Sequence, residues 1–391
     1  MKLSIRYKLL PIIVLGVIIL ATIFYTISIQ SKRSAVEKSA IGRVQSAKQT
    51  FYNLEKNDVK MLKAALTSFI TNEDYKEVFL KNDRNKLYQY GQELFLNNKK
   101  LGITHFYFHR TNGTVFSRLH DENKYDDPLT RITFNQSKKT GSWGTGLELG
   151  KTAFALRVVT PYLKEGSLIG YVEFGEEIDH LIEIMKDQTG MDYAVVVNKQ
   201  FIDAKDWASV RKTKGLENNY NDLAEYVVID TTLPNSSTFK DHAFSPIDLA
   251  SVTDEGKLLN HFDLDGKNYI SGGFSLYDAS GKKVGSVITI DDFTIIDQAY
   301  KKASLNMLFI TLGGAFIISI IMILMVSYVI IWPLDKVVNA TTRVVGGDFS
   351  ATVEVNSNDE IGTLAKMIEE FKRIMIDTAQ ELEQLRKSKG H

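Results

Sequence analysis

The sequence predicts an α+β protein. A long helix and two tandem antiparallel α/β modules lie between two membrane-spanning helices, and a helix–connector–helix tail follows. Three observations carry this reading. Charged residues are absent from Leu9 to Ser31 (23 residues) and from Ala303 to Leu334 (32 residues). The segment between those runs alternates apolar and polar residues and is punctuated by turn signals. The segment after them carries a seven-residue apolar repeat.

A membrane-spanning helix needs about 20 apolar residues, and both uncharged runs reach that length. The first is longer than the roughly 7–15 apolar residues of a cleaved leader, so it reads as an anchor. The chain then divides into a tail (1–8), a span (9–31), a folded segment (32–302), a second span (303–332), a helical segment (333–385) and a short end (386–391). Tyr328 and Trp332 stand near the end of the second span, where amphipathic rings favour the interface. Lys2, Arg6 and Lys8 precede the first span, and Lys32, Arg33 and Lys38 follow it, so charge alone leaves the orientation open.

Composition narrows the chemistry. Lys+Arg and Asp+Glu both number 47, so the surplus of positive charge that a nucleic-acid binder uses to release counterions is missing. There are no cysteines, which excludes disulfides, thiolate zinc sites, iron–sulfur clusters and cysteine nucleophiles.

Within 32–302, residues 33–70 read as one helix, with Val59, Leu62, Leu66 and Phe69 at spacings of 3, 4 and 3. A second helix is expected over about 73–98. Two strands joined at Asn112-Gly113 then form a hairpin, since Asn-Gly suits the left-handed turn. Further strands are expected at 147–150, 152–163, 167–175 and from 193, with a helix at about 177–188. The sequence also echoes itself. Tyr162, Gly166, Gly170 and Val172 recur as Tyr277, Gly281, Gly285 and Val287, each 115 residues on. Asp265-Gly266 marks a further hairpin turn in the second copy. The two modules are expected at about 100–190 and 191–292.

In the tail, Pro333 suits the first turn of a helix, in which Leu334, Val338, Thr341 and Val345 recur at 4, 3 and 4. Gly346, Gly347 and Asp348 stop it, and Phe349 begins an extended piece. Asp359 and Glu360 open a second helix whose stripe is Ile361, Leu364, Ile368, Phe371, Met375, Thr378, Leu382 and Leu385. A strict heptad is a coiled-coil seam and calls for a partner helix. The opening proline, the Gly347-Asp348 connector and Asp359-Glu360-Ile361-Gly362-x-Leu364 resemble a HAMP domain. That resemblance implies a homodimeric four-helix bundle in the cytoplasm. It places 32–302 outside the inner membrane with both termini inside, and it assigns signal relay to Pro333, Gly347, Asp348, Phe349, Glu360, Ile361 and Leu364.

The long helix with two α/β modules between spans resembles a double Cache sensor. Asn112-Gly113-x-Val115-x-x-Arg118-x-His120-Asp121, followed by Tyr125-Asp126-Asp127-Pro128-Leu129, is similar to the signature G-x-V-x-x-R-x-H-D-P…F-G-D-D-L of one double-Cache subfamily. Glu122 stands in place of its proline and Asp126 in place of its glycine. The resemblance implies a small-molecule ligand in the first module. Arg118 and His120 would contact it, Arg131 and Arg157 would add positive charge, and Trp143 or Phe106 would form an apolar lid; such donors favour a carboxylate.

Plainer roles stay open beside these. Arg118 would pin the loop to Asp126 or Asp127, His120 would cap a turn, Trp143 would cover the core, and Arg157 would face solvent. His105 and His109 lack a carboxylate at metal spacing in the sequence, so no metal or cofactor is expected. No clustered acid, base and nucleophile points to an enzyme. The expectation is a membrane receptor, most simply a chemotaxis transducer, acting through a cytoplasmic output protein. The alternative is the sensor portion of a histidine kinase or nucleotide cyclase, since only six residues follow the seam. An anchored extracytoplasmic enzyme and a structural dimerisation protein are the lesser readings.

Overall fold

A computed structural model describes residues 5–150, 154–233, 249–355 and 357–388. The chain forms two compact units, one of residues 35–298 and one that joins 1–34 to 299–391.

The larger unit is built on helix α1 (Ile5–Ile70), which continues without a break through the first uncharged run. Two helices follow where one was expected: α2 (Glu73–Leu80) and α3 (Arg84–Lys99). The break is local in origin. Asn82 adopts φ 56°, and the Asp83 side chain accepts the Lys86 N–H at 3.0 Å, which starts a new helix.

The first sheet contains β1 (Ile103–His109), β2 (Val115–Arg118), β3 (Gly144–Leu149), β4 (Phe154–Lys164) and β5 (Ser167–Glu177), in the order β2-β1-β5-β4-β3. Helix α4 (Ile132–Thr140) lies between β2 and β3 in the chain. The expected start of β4 at 152 falls outside the described residues. Helix α5 (Asp179–Thr189) leads to the second sheet. Its strands are β6 (Asp192–Asn198), β7 (Tyr226–Thr231), β8 (Lys257–Leu264), β9 (Lys267–Tyr277) and β10 (Lys283–Asp292), ordered β7-β6-β10-β9-β8, with α6 (Ala204–Thr213) after β6.

The two sheets have the same strand order, and the sequence echo falls on β4–β5 and β9–β10. The repeated glycines have shared reasons. Gly166 and Gly281 take φ 79° and 80° in the two turns. A Cβ on Gly170 would lie 2.4 Å from the His109 carbonyl oxygen, and one on Gly285 would lie 1.9 Å from that of Val196. Each strand passes its neighbour too closely for any side chain.

Side chains alternate across a sheet, so one face of each sheet packs on α1. Phe106, Phe108, Val158, Val172 and Phe174 of the first sheet, with Tyr193, Val195, Phe274 and Val287 of the second, join Phe51, Leu62, Leu66 and Phe69 of α1 in one apolar core.

The smaller unit contains α7 (Thr294–Val326), a π-helical segment (Ser327–Ile331), α8 (Trp332–Val345) and α9 (Glu360–Ser388). Two helical stretches, Ile5–Ile70 and Thr294–Val345, are long and apolar enough to cross a membrane. Arg6 pairs with Asp335, and Lys32 Nζ donates to the Ala303 carbonyl at 3.2 Å. Contacts at both ends lay the two apolar segments antiparallel. Pro333 sits in the first turn of α8. Gly347 takes φ 91°, and Asp348 accepts from the Ser350 hydroxyl and from Arg343, both at 2.6 Å. Asp359 Oδ1 caps α9 by accepting from the N–H groups of Ile361 and Gly362, each at 3.0 Å. Val337, Ala340 and Val344 are the buried residues of α8. The stripe read from the sequence leaves Val338 and Val345 exposed, together with Leu364, Phe371, Leu382 and Leu385 on α9.

Candidate functional site: a charged face on the first module

The face of the first sheet turned away from α1 is buried and charged. Register fixes its membership. Tyr107 lies opposite both Arg118 and Glu173, Val159 lies opposite Glu173, and Arg157 lies opposite Gly175. His105, Tyr107 and His109 of β1 therefore share a side with Arg118, Arg157 and Glu173. Helix α4 closes over them, and Arg131 at its start points inward.

Glu173 is the centre and has no exposed surface. Its Oε1 accepts from Arg157 Nη1 at 2.6 Å and from Arg131, and its Oε2 bonds His109 Nε2 at 2.9 Å. Burial pushes this carboxyl up, but Arg131, Arg157 and the His109 hydrogen bond outweigh it and hold Glu173 well below the usual carboxylate range. Arg131 Nη2 also donates to the Tyr107 hydroxyl at 3.0 Å. The guanidinium carbons of Arg118, Arg131 and Arg157 stand 5.3, 4.6 and 5.9 Å from the centre of the Tyr107 ring, within cation–π range. Glu148 caps α4: it accepts the backbone N–H groups of Ile132 and Thr133 and, at 2.8 Å, the Thr133 hydroxyl. Burial holds the imidazoles neutral, with His105 pushed down to about 2 and His120 to about 4. Nearby arginines add to both shifts, Arg157 for His105 and Arg118 for His120.

The expected residues are distributed as follows. Arg118 makes two parallel bonds to Asp127, both 2.7 Å, and one to the Lys124 carbonyl at 2.6 Å. It pins the loop and stands within cation–π range of Tyr107. His120 lies beyond the end of β2, and its Nδ1 accepts the Phe106 N–H at 3.2 Å. Its ring reaches the charged face, 4.6 Å from Tyr107. Arg131 and Arg157 meet at Glu173, and Arg157 is buried, not solvent-facing. Two placements correct the sequence reading. Phe106 points to the opposite face, where its ring packs 4.9 Å from Phe69 of α1, because it alternates with His105 and Tyr107. Trp143 packs against the α1-side core with Lys63 Nζ 5.6 Å from its ring centre, because it falls on the side of Leu147 and not on that of Gly146 and Glu148. Neither covers the charged face.

Tyr107, His109, Glu148 and Glu173 were missed. Glu173 had a signal: it interrupts the apolar run of β5, where an unpaired charge is costly. Two buried nitrogens on this face have no hydrogen-bond partner: Arg157 Nε, a donor, and His109 Nδ1, the acceptor lone pair left when Nε2–H donates to Glu173.

Among the described residues the second module shows no such cluster. By the 115-residue offset Glu173 corresponds to Ile288, which lies opposite Ala194 where Glu173 lies opposite Tyr107. Among the described residues Ala194, Val196, Leu249, Ile288 and Ile290 cluster on that face, with Ser271, Ser275 and Ser286 buried beside them.

Two like modules on a shared helix, flanked by apolar helices and followed by a helix–connector–helix, define a sensory receptor. The chain belongs to the dCache_3 family, the double sensory domain of two-component sensor kinase, which it matches over residues 39–294. Residues 326–372 match the HAMP domain. Over 93 residues the chain is 31% identical to methyl-accepting chemotaxis protein McpA of Bacillus subtilis, covering 24% of this chain and 14% of that protein. The chain thus spans a small part of the curated relative it matches. Among solved structures it is similar to the ligand-binding domain of Campylobacter jejuni chemoreceptor Tlp3 in complex with L-valine. That likeness has 11% identity and TM-score 0.38, over 69% of this chain and 97% of that one. The sensor domain of the Vibrio cholerae histidine kinase DctB is also similar, with 10% identity and TM-score 0.40, over 66% and 98%.

Proposed function

We propose that this chain is a homodimeric receptor of the inner membrane, with its modules outside and both termini in the cytoplasm. It binds a small carboxylate-bearing molecule on the charged face of the first module and relays binding through α7, α8 and α9 to a chemotaxis output protein. One observation carries the ligand site. Two modules of identical strand order differ in that, among the described residues, the second has Ala194, Val196, Ile288 and Ile290 where the first buries Arg118, Arg157, Glu148, Glu173 and histidines. An apolar face suffices to fold the module, and buried ions with donors left unpaired favour stability less than hydrocarbon does. The charge therefore serves recognition, and an incoming carboxylate can take up the free Arg157 Nε donor. The antiparallel apolar helices support the topology, and the exposed α8 and α9 stripes support the dimer.

The test is a thermal-shift screen of the compact unit, residues 35–298, against small carboxylates, amino acids, amines and nucleobases. A ligand at 100 times its Kd adds about 2.7 kcal/mol, or roughly 5–10 °C. A carboxylate shift that disappears in Tyr107→Phe and Arg131→Lys supports the reading. Shifts from amines or nucleobases alone, or a carboxylate shift that survives both variants, overturn it. The family description favours a second reading, the sensor portion of a two-component kinase. Capillary assays with the compound found, in cells with and without the gene, separate the two.

A further inference from the structure

A second polar cluster lies on the α1 side of the first sheet, away from the charged face. Asp58 projects from α1, Glu176 ends β5, and His180 lies in the first turn of α5. His180 Nε2 is 3.1 Å from Asp58 Oδ2 and 3.2 Å from Glu176 Oε1. One ligand atom from each residue lies within 4.8 Å of the others.

The other imidazole nitrogen decides what sits between them. His180 Nδ1 is 2.8 Å from the Glu177 carbonyl oxygen, which can only accept, so Nδ1 carries a proton. In the neutral ring Nε2 is then a lone pair aimed at two carboxylate oxygens. Among the described residues no lysine or arginine pairs with Asp58 or Glu176. Two carboxylate oxygens converge on that nitrogen, so the site takes up a positive charge, either a proton on Nε2 or a metal ion. Glu176 is only 4% exposed, and its second oxygen has no hydrogen-bond partner. Gly102 leaves room for it: a Cβ there would lie 2.5 Å from Glu176 Oε1.

We propose that Asp58, Glu176 and His180 bind a divalent transition-metal ion, zinc best among the common ones. An Nδ1–H donated to a backbone carbonyl is the usual support of a metal-bound imidazole. One nitrogen and two oxygens suit zinc, whose bonds of about 2.0–2.2 Å set ligand atoms about 3.3 Å apart, close to the separations here. Calcium and magnesium prefer all-oxygen shells. His180 is 33% exposed, so a water can complete a tetrahedron and the ion can enter. Bound there, the metal ties α1 to the β5–α5 corner of the first module. No single stretch of sequence shows the site, because Asp58 lies far in sequence from the other two ligands.

The test uses the full chain in nanodiscs, stripped with chelator and dialysed against Zn²⁺ or Co²⁺. Expected are one ion per chain above background, a tetrahedral Co²⁺ absorption band, and at least tenfold weaker binding in His180→Gln and in Asp58→Asn. Asp58→His, which keeps a ligand, retains the ion. If His180→Gln does not fold, the partly exposed Asp58 carries the test. Equal binding and the same spectrum in wild type and both variants overturn the proposal. So does a wild-type chain that binds no ion, which leaves a proton shared among the three groups.

Discussion

Replacing Glu173 by Gln tests whether the charged face is held together by one carboxylate. The side chain has no exposed surface and joins Arg131, Arg157 and His109. Glutamine keeps the shape and one acceptor but removes the charge and turns an NH₂ group toward a guanidinium. Two buried cations then share a site that has lost its central anion, with Glu148 3.9 Å from Arg157 Nε as the remaining partner. Removing one member of a buried ion pair costs about 3–5 kcal/mol, because the other is left uncompensated. At roughly 2–4 °C per kcal/mol for a unit of this size, melting should fall by about 6–20 °C. The assay is the Trp143 and Trp207 fluorescence of residues 35–298 during heating, in a double-mutant cycle with Arg157→Gln. The double variant should lose much less than the sum of the singles. A Glu173→Gln variant within about 1 kcal/mol of wild type would show that the network carries little of the module's stability and refute the reasoning.

Acid sensitivity follows from the buried histidines. Folding depresses His120 to about 4, so the unfolded chain takes up its proton first. Stability is complete above about 6.5 and is lost as pH falls toward 4, by about 3 kcal/mol from this residue at most. His120→Asn, which can still accept the Phe106 N–H, should flatten the pH dependence of melting in that window. Gly285→Ala places a Cβ 1.9 Å from the Val196 carbonyl and should cost about 3 kcal/mol. Gly190→Ala, at φ 71° with open space around it, should cost only about 1 kcal/mol. Denaturant curves that rank these two glycines the other way would contradict the close strand crossing. Asp359→Ala should cost about 1 kcal/mol and raise amide exchange over 360–364, where its cap holds two N–H groups. Leu364→Cys in this cysteine-free chain should cross-link as a dimer in membranes, and a monomer under oxidation would count against paired seams.

Local chemistry in the sequence reaches far into the fold. The Asp265-Gly266 turn forms with φ 50° and 75°, and the repeated glycines mark the same crossing in both sheets. The break between α2 and α3 is also written, in Asn82 and Asp83, inside the polar stretch 81–86 that separates Leu80 from Leu87. The site was harder to read because facing depends on pairing. Arg131, Arg157 and Glu173 come from a helix start and two strands, and only the strand register brings them onto one oxygen. Phe106 was assigned to the wrong side for the same reason, while Trp143 takes the core-covering role left open beside the lid. An aromatic ring near an arginine in the sequence carries no sign of which face it will take. At the matching position Ile288 stands where Glu173 stands in the first copy, a contrast visible only after the 115-residue offset is laid across both copies.

The π-helical segment at Ser327–Ile331 fixes how α7 and α8 are phased. An α-helix advances about 100° per residue, and a π turn holds roughly one residue more. Side chains of α8 are therefore turned by about that angle from where an unbroken helix would carry them. The face that α7 shows to lipid and the face that α8 shows to its neighbours are set separately. Removing one residue between 327 and 331 would re-aim every contact beyond Trp332 while changing none of them in kind. Hybrid receptors joined within this segment must keep its length, because the count of residues there, more than their identity, decides which way the downstream bundle points.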